Sequence, residues 1–117
     1  MSQNKKRKAS VAVAVSVLGF SGAVQAGPSG GQVVAGDATI TPGALQTLIE
    51  QLSSKAVINW SDFSIDAGEL VKFIHQNSSD VTLNRVTGDT VSQIKGALTA
   101  NGNIFLINPN GIVFGAG

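Results

Sequence analysis

From about residue 32 onward, apolar and polar positions alternate in short runs, and the runs end at Gly, Pro, Asn or Asp. A period of two places successive side chains on opposite faces, which is the mark of a strand. "QVVAG" (32–36) and "ATIT" (38–41) are short strand candidates broken by Gly36-Asp37, and Thr41-Pro42-Gly43 reads as a turn. "KAVINW" (55–60) and "ELVKFI" (69–74) are longer. In the latter, Leu70, Lys72 and Ile74 oppose Val71 and Phe73, and both faces are largely apolar, so a strand covered on both sides is predicted. "DAG" (66–68) separates it from a shorter strand, "FSI" (63–65). "QNSSD" (76–80) is a polar turn, and "VTLNRV" (81–86) sets Val81, Leu83 and Arg85 against Thr82, Asn84 and Val86. In "ALTANGNIFLI" (97–107) the pair Asn101-Gly102 accepts the positive φ angles of a tight turn. The residues alone predict a two-residue hairpin there, and a solenoid corner would use the same pair.

One segment follows a different period. "ALQTLIEQL" (44–52) places Leu45, Leu48, Ile49 and Leu52 at helical spacing, after a Pro42-Gly43 that is able to open a helix. Elsewhere the breaks recur about every ten residues, a spacing that suits a sandwich, a barrel or a solenoid. Five Phe, one Trp, no Tyr, no Cys and 14 Gly disfavour an immunoglobulin-like sandwich. A parallel β-solenoid, with Asn and Gly at its corners and apolar residues inward, fits better, and its end tiers need capping against edge pairing.

The first 26 residues change the account of charge. Lys5, Lys6, Arg7 and Lys8 precede an apolar stretch from about Val11 to Phe20, and Val24 and Ala26 occupy the −3 and −1 places of a small-residue cleavage site. This order predicts a secretory signal over 1–26. The apolar run falls short of the ~20 residues a membrane span requires. Removing 26 of 117 residues leaves 91. Four of the eight Lys/Arg lie in the signal and none of the seven Asp/Glu do, so the remainder carries four cations, seven anions and a net charge of −3. Lys55, Lys72, Arg85 and Lys95 stand singly, which gives no basic stripe for nucleic acid. Without cysteine, the exported part has no disulfide to offset a thin core.

Candidate chemistry is sparse. His75 is the single histidine, at the end of a predicted strand, and reads as a surface or loop residue. Asp62, Asp66 and Glu69 cluster in a break between strands, where carboxylates commonly close turns. The chain contains no Gly-x-Ser-x-Gly, no phosphate loop and no zinc spacing, so neither catalysis nor a cofactor nor a metal is expected. Trp60 reads as a core anchor. "NPNG", from Asn108 through Pro109 and Asn110 to Gly111, has definite mechanical content. Pro109 fixes its own φ and extends Asn108, while Asn110 and Gly111 tolerate left-handed angles. The open point is whether that turn is also read by a partner.

The blocks "INWSDFSI", "VKF", "LNRVTG", "SQIKGALTANG" and "FLINPNGIVFG" occur in this order. In that company the chain resembles the N-terminal secretion domain of filamentous haemagglutinins, the large exoproteins of bacterial two-partner secretion, over nearly all of 27–117. The resemblance implies an all-β fold, a right-handed parallel β-helix (a single-stranded solenoid) with a small N-terminal capping sheet. It implies that "ALQTLIEQLSS" is an early strand, with Thr47, Ile49 and Gln51 alternating against Leu48, Glu50 and Leu52. It implies secretion targeting rather than catalysis. The partners would be the Sec export machinery, an outer-membrane transporter with POTRA domains and, through regions beyond this sequence, a host cell surface. Location would be the cell surface or medium of a Gram-negative bacterium. It singles out Asn108, Pro109, Asn110, Gly111 and Ile112 as the recognition or turn motif. Asn59, Trp60, Phe63, Asn84, Arg85, Val86, Gly88, Asn101 and Gly102 are its supporting positions. The family's domain runs on past "NPNGIVFGAG", so the chain is expected to stop inside it, leaving the β-helix incomplete. Two other classes stand beside this reading, a β-helical polysaccharide-acting enzyme and a small carbohydrate-binding adhesin. Carboxylates and bases recurring at tier spacing would favour the enzyme, and the sequence has none; a stable folded monomer would favour the adhesin.

Overall fold

The computed structural model describes residues 27–115, and the predicted signal lies outside the described residues. The described residues form ten strands and no helix: β1 (Gln32–Ala35), β2 (Ala38–Thr41), β3 (Gln46–Gln51), β4 (Lys55–Trp60), β5 (Leu70–Ile74), β6 (Val81–Val86), β7 (Ser92–Ile94), β8 (Ala97–Ala100), β9 (Asn103–Ile107) and β10 (Ile112–Phe114). They assort into three sheets, ordered β1-β4-β6-β9, β2-β3-β5-β8 and β10-β7. From β3 onward every strand pairing is parallel. β1 and β2 instead lie antiparallel on β4 and β3 and cover the first side of the pile.

The order of visits is cyclic. The chain passes from the sheet of β3 to the sheet of β4, then to Ile65, which bridges Ile94 of β7 in parallel. It repeats the circuit through β5, β6 and β7, and again through β8, β9 and β10. Each circuit is one tier. Equivalent positions stack in register, as in Val57–Leu83–Phe105 and Gln46–Leu70–Ala97. Such stacking lets each strand's backbone groups bond to the tiers on either side, which stabilises a chain without a disulfide.

The interior is formed by alternate residues. Ile49, Ile58, Trp60, Phe63, Ile65, Val71, Phe73, Val86 and Ile94 make one buried cluster. Val33, Ala38 and Ile40 of the covering strands pack on one side of it, and Leu98, Ile104, Leu106 and Ile112 of the last tier on the other. Trp60 meets Phe63 edge to face, with ring centroids 5.5 Å apart, the arrangement that ring quadrupoles favour.

Three expectations are corrected. The helical period over 44–52 is misleading: Thr47, Ile49 and Gln51 point inward from β3, whereas Leu45 and Leu52 are 67% and 62% exposed. Ladders to β2 and β5 on both sides satisfy the backbone more completely than a two-turn helix, so tertiary pairing overrides local propensity. The strand reading drawn from the family resemblance therefore holds. β5 is covered on one side only, with Val71 and Phe73 buried, Leu70 and Ile74 half-buried and Lys72 exposed. Asn101-Gly102 is a corner and not a hairpin, because β8 and β9 enter different sheets. In addition, "FSI" contributes a single bridge at Ile65 rather than a strand.

Ile58 of β4 is fully buried in the central cluster, and Leu52 is mostly exposed. Ile58→Ala is expected to lose about 2–5 kcal/mol of stability, from lost transfer energy plus the cavity left behind. Leu52→Ala is expected to stay within about 0.5 kcal/mol of the parent. Urea unfolding monitored by Trp60 fluorescence checks both, and equal midpoints for the two variants would contradict this packing.

Candidate functional site

β9 runs out into Asn108-Pro109-Asn110-Gly111, and β10 begins at Ile112. The Gly111 N–H donates to the Asn108 carbonyl at 3.0 Å and closes the turn. Gly111 has φ 114° with open space around it, so backbone angle rather than crowding demands glycine. Asn108 is 9% exposed. Its Nδ2 donates to the Thr90 carbonyl and to Ser92 Oγ, both at 2.9 Å. Its Oδ1 accepts the Asn110 backbone N–H at 2.9 Å and Asn110 Nδ2 at 3.0 Å. Asn110 Nδ2 also donates to the Gly88 carbonyl at 2.9 Å.

The motif is therefore a clamp as well as a turn. Its carboxamides hold the 88–92 segment of the preceding tier, and Ser92 N–H returns a bond to the Gly111 carbonyl at 3.0 Å. Ile112 then falls opposite Ser92 and starts the parallel pairing of β10 with β7. Gly88 belongs to this group for a second reason. A Cβ there would stand 2.1 Å from the Ser61 carbonyl oxygen, so only glycine lets the two tiers approach.

The other sequence-predicted positions form two further groups. Trp60 Nε1 donates to Asn84 Oδ1 at 2.9 Å, and Asn84 Nδ2 donates to the Phe105 carbonyl at 3.2 Å. Asn84 thus joins β4, β6 and β9 from inside; Val86, Trp60's register partner, lies with Phe63 in the buried cluster. On the outer face Arg85 Nε donates to Asn59 Oδ1 at 3.0 Å across the same pair of strands.

Asn101 sits at the third group. Its Oδ1 accepts the His75 N–H at 2.5 Å, and its Nδ2 donates to the His75 carbonyl at 3.0 Å. The surface reading of His75 is corrected here: it is 3% exposed, with Nε2 2.8 Å from Thr82 Oγ1 and its ring stacked on Phe73. Thr82 Oγ1 in turn donates to Gln51 Oε1. Gly102 packs so closely that a Cβ would stand 2.5 Å from the His75 ring. Gln51, Thr82 and Ser92 are not among the site positions that the sequence points to. Their one signal was parity, since Thr82 and Ser92 alternate in step with Val86 and Ile94 on faces that turn inward.

Of the carboxylates at 62–69, Glu69 closes a turn, its Oε1 accepting the Asp66 N–H at 3.0 Å. Asp62 instead reaches along the chain, its Oδ1 accepting the Thr90 hydroxyl at 2.7 Å.

Residues 24–117 match the TPS secretion domain family. The chain belongs to that family. The match is to secretion domains of two-partner secretion exoproteins as a whole, not to filamentous haemagglutinins in particular. The solved structure of the HMW1 secretion domain from Haemophilus influenzae is similar with a TM-score of 0.71 and 45% identity, covering 76% of this chain and 24% of that one. A heme/hemopexin-binding protein of Haemophilus influenzae is 39% identical over 90 residues, 77% of this chain and 10% of that protein. A second protein of the same name and species is 48% identical over 69 residues, 59% of this chain and 7% of that protein. The chain thus spans a tenth or less of the length of the two heme/hemopexin-binding proteins. TPS exoproteins are secreted through the outer membrane of Gram-negative bacteria by a cognate outer-membrane transporter.

Asn108→Asp keeps the oxygen that caps Asn110 but removes the donor to Thr90 and Ser92. It is expected to destabilise the fold by about 1–3 kcal/mol, because two acceptors lose their donor beside a new charge. Amide hydrogen exchange should speed up most at residues 88–94. Unchanged protection there would show that the clamp does not hold this segment.

Proposed function

We propose that residues 27–117 form the N-terminal part of a secretion-targeting and fold-nucleating domain of filamentous-haemagglutinin type, at the head of a large adhesin-like exoprotein. The family match over 24–117, which includes the whole length beyond the proposed signal, carries this reading. The cyclic order of parallel tiers supports a right-handed parallel β-helix, with β1 and β2 as its capping sheet.

In this reading residues 1–26 direct the chain to the Sec machinery and are removed after Ala26. The exported chain reaches POTRA domains of its transporter unfolded. Its alternating segments add as strands to exposed sheet edges, a mode in which the backbone supplies affinity and side-chain pockets supply specificity. Outside the cell the first tiers pair and each templates the next, so folding biases the chain against return and no nucleotide is consumed. The turn from Asn108 to Ile112 acts through the fold: its carboxamide hydrogens are spent on Gly88, Thr90 and Ser92, which favours a clamp over a surface label. The activity of the exoprotein, whether adhesion or another, lies in regions beyond this sequence.

The test is export of a complete exoprotein carrying Asn108→Ile, with its transporter present. Secretion is expected to fall several-fold while the periplasmic level stays the same or rises. Export at the parental level would overturn the role given to this turn.

A further inference from the structure

The start of the described chain is held by one carboxylate. The Gly27 backbone N–H donates to Glu69 Oε1 at 3.0 Å. The same oxygen accepts the Asp66 N–H at 3.0 Å, and the Glu69 N–H donates to the Asp66 carbonyl at 3.0 Å, so the side chain is aimed by its own turn. The turn is itself anchored, since the Glu69 carbonyl accepts the Ala97 N–H of β8 at 2.9 Å. Gly27 is half-buried, and a Cβ there would lie 3.1 Å from Val71 Cγ2, so this nitrogen rests against the wall of the pile. From it the chain passes through buried Pro28 to Ser29, whose N–H and carbonyl bond Asp62 and Ser61, and then into β1.

Gly27 is also the residue that follows the proposed cleavage point. We propose that removal of the signal creates a built-in ion pair: the new α-ammonium of Gly27 docks on the Glu69 carboxylate and pins the capping segment to the first tiers. The inference rests on the cleavage after Ala26 proposed above. While the signal is attached, this nitrogen is a peptide N–H that gives one neutral donor. After cleavage it carries a full charge and three hydrogens, and hydrogen bonds between ionised partners are roughly twice as strong as neutral ones. No rearrangement is required, because the nitrogen already lies at bonding distance. Processing then tightens the cap only in chains that have been released from the membrane.

The experiment uses the full chain, exported and processed in a Sec-competent host, and its first residue read by intact mass. Inserting one serine between Ala26 and Gly27 leaves the cleavage point in place and moves the ammonium one residue upstream. The native terminus is expected to unfold at a urea concentration about 0.5 M higher than the serine-inserted form. In a Glu69→Gln background, which keeps an oxygen for the Asp66 N–H, that difference should vanish. Equal midpoints in chains confirmed to begin at Gly27 overturn the ion pair and leave the processing reading intact. A first residue other than Gly27 overturns both. Acylation of the α-amine, referenced to exposed Lys55, gives a readout that does not depend on unfolding. It should be several-fold slower in the parent than in Glu69→Gln, and equal rates overturn the proposal.

Discussion

Parallel stacking leaves each tier dependent on a way to hold its neighbours in register, and the buried amide of Asn84 meets that need at the centre of the pile. It accepts the Trp60 indole N–H from the tier before and donates to the Phe105 carbonyl in the tier after. A one-residue slip of β6 would bring Arg85 inward and turn Asn84 out, stranding the indole donor. The same logic governs the corner at Gln51, Thr82, His75 and Asn101, where polar side chains from all three tiers meet. An unpaired polar group in such a place costs more than the bond it forfeits. The interior is thus partly a polar column, and its specificity comes from having every member satisfied.

This changes the meaning of the NPNG turn. Its geometry follows from Pro109 and Gly111, but its importance comes from reach: Asn108 and Asn110 bond residues 16 to 22 positions earlier. The turn fixes the entry of β10 by gripping the loop that leads into β7. A residue that sets register at a distance is sensitive to small changes of donor and acceptor.

Much of the fold is legible in the sequence. The alternation in β4 and β6 reads directly, and so does the division at Gly36-Asp37. What is hidden follows one pattern. Asn101-Gly102 states which backbone angles are allowed, not which sheet the exiting strand joins, so it reads as a hairpin. His75 carries no local sign of burial, because Thr82 and Asn101 come to it from 7 and 26 residues away. Leu45 and Leu52 imitate a helix because apolar residues that remain outside count equally with those that go in. The site positions divide the same way: turn chemistry is local and readable, whereas the clamp, the column and the Glu69 contact need tertiary proximity.

The antiparallel cover has one more consequence. β1 and β2 run against β4 and β3, so the first side of the pile offers no parallel template. On the other side β8 and β9 are the terminal strands of their described sheets, and Phe105 and Ile107 of β9 and Phe114 of β10 are exposed. The object resembles a crystal seed with one face poisoned. Under the export proposed above, new layers would add to a single face in the order in which the chain is threaded out, so translocation and ordering would share one direction.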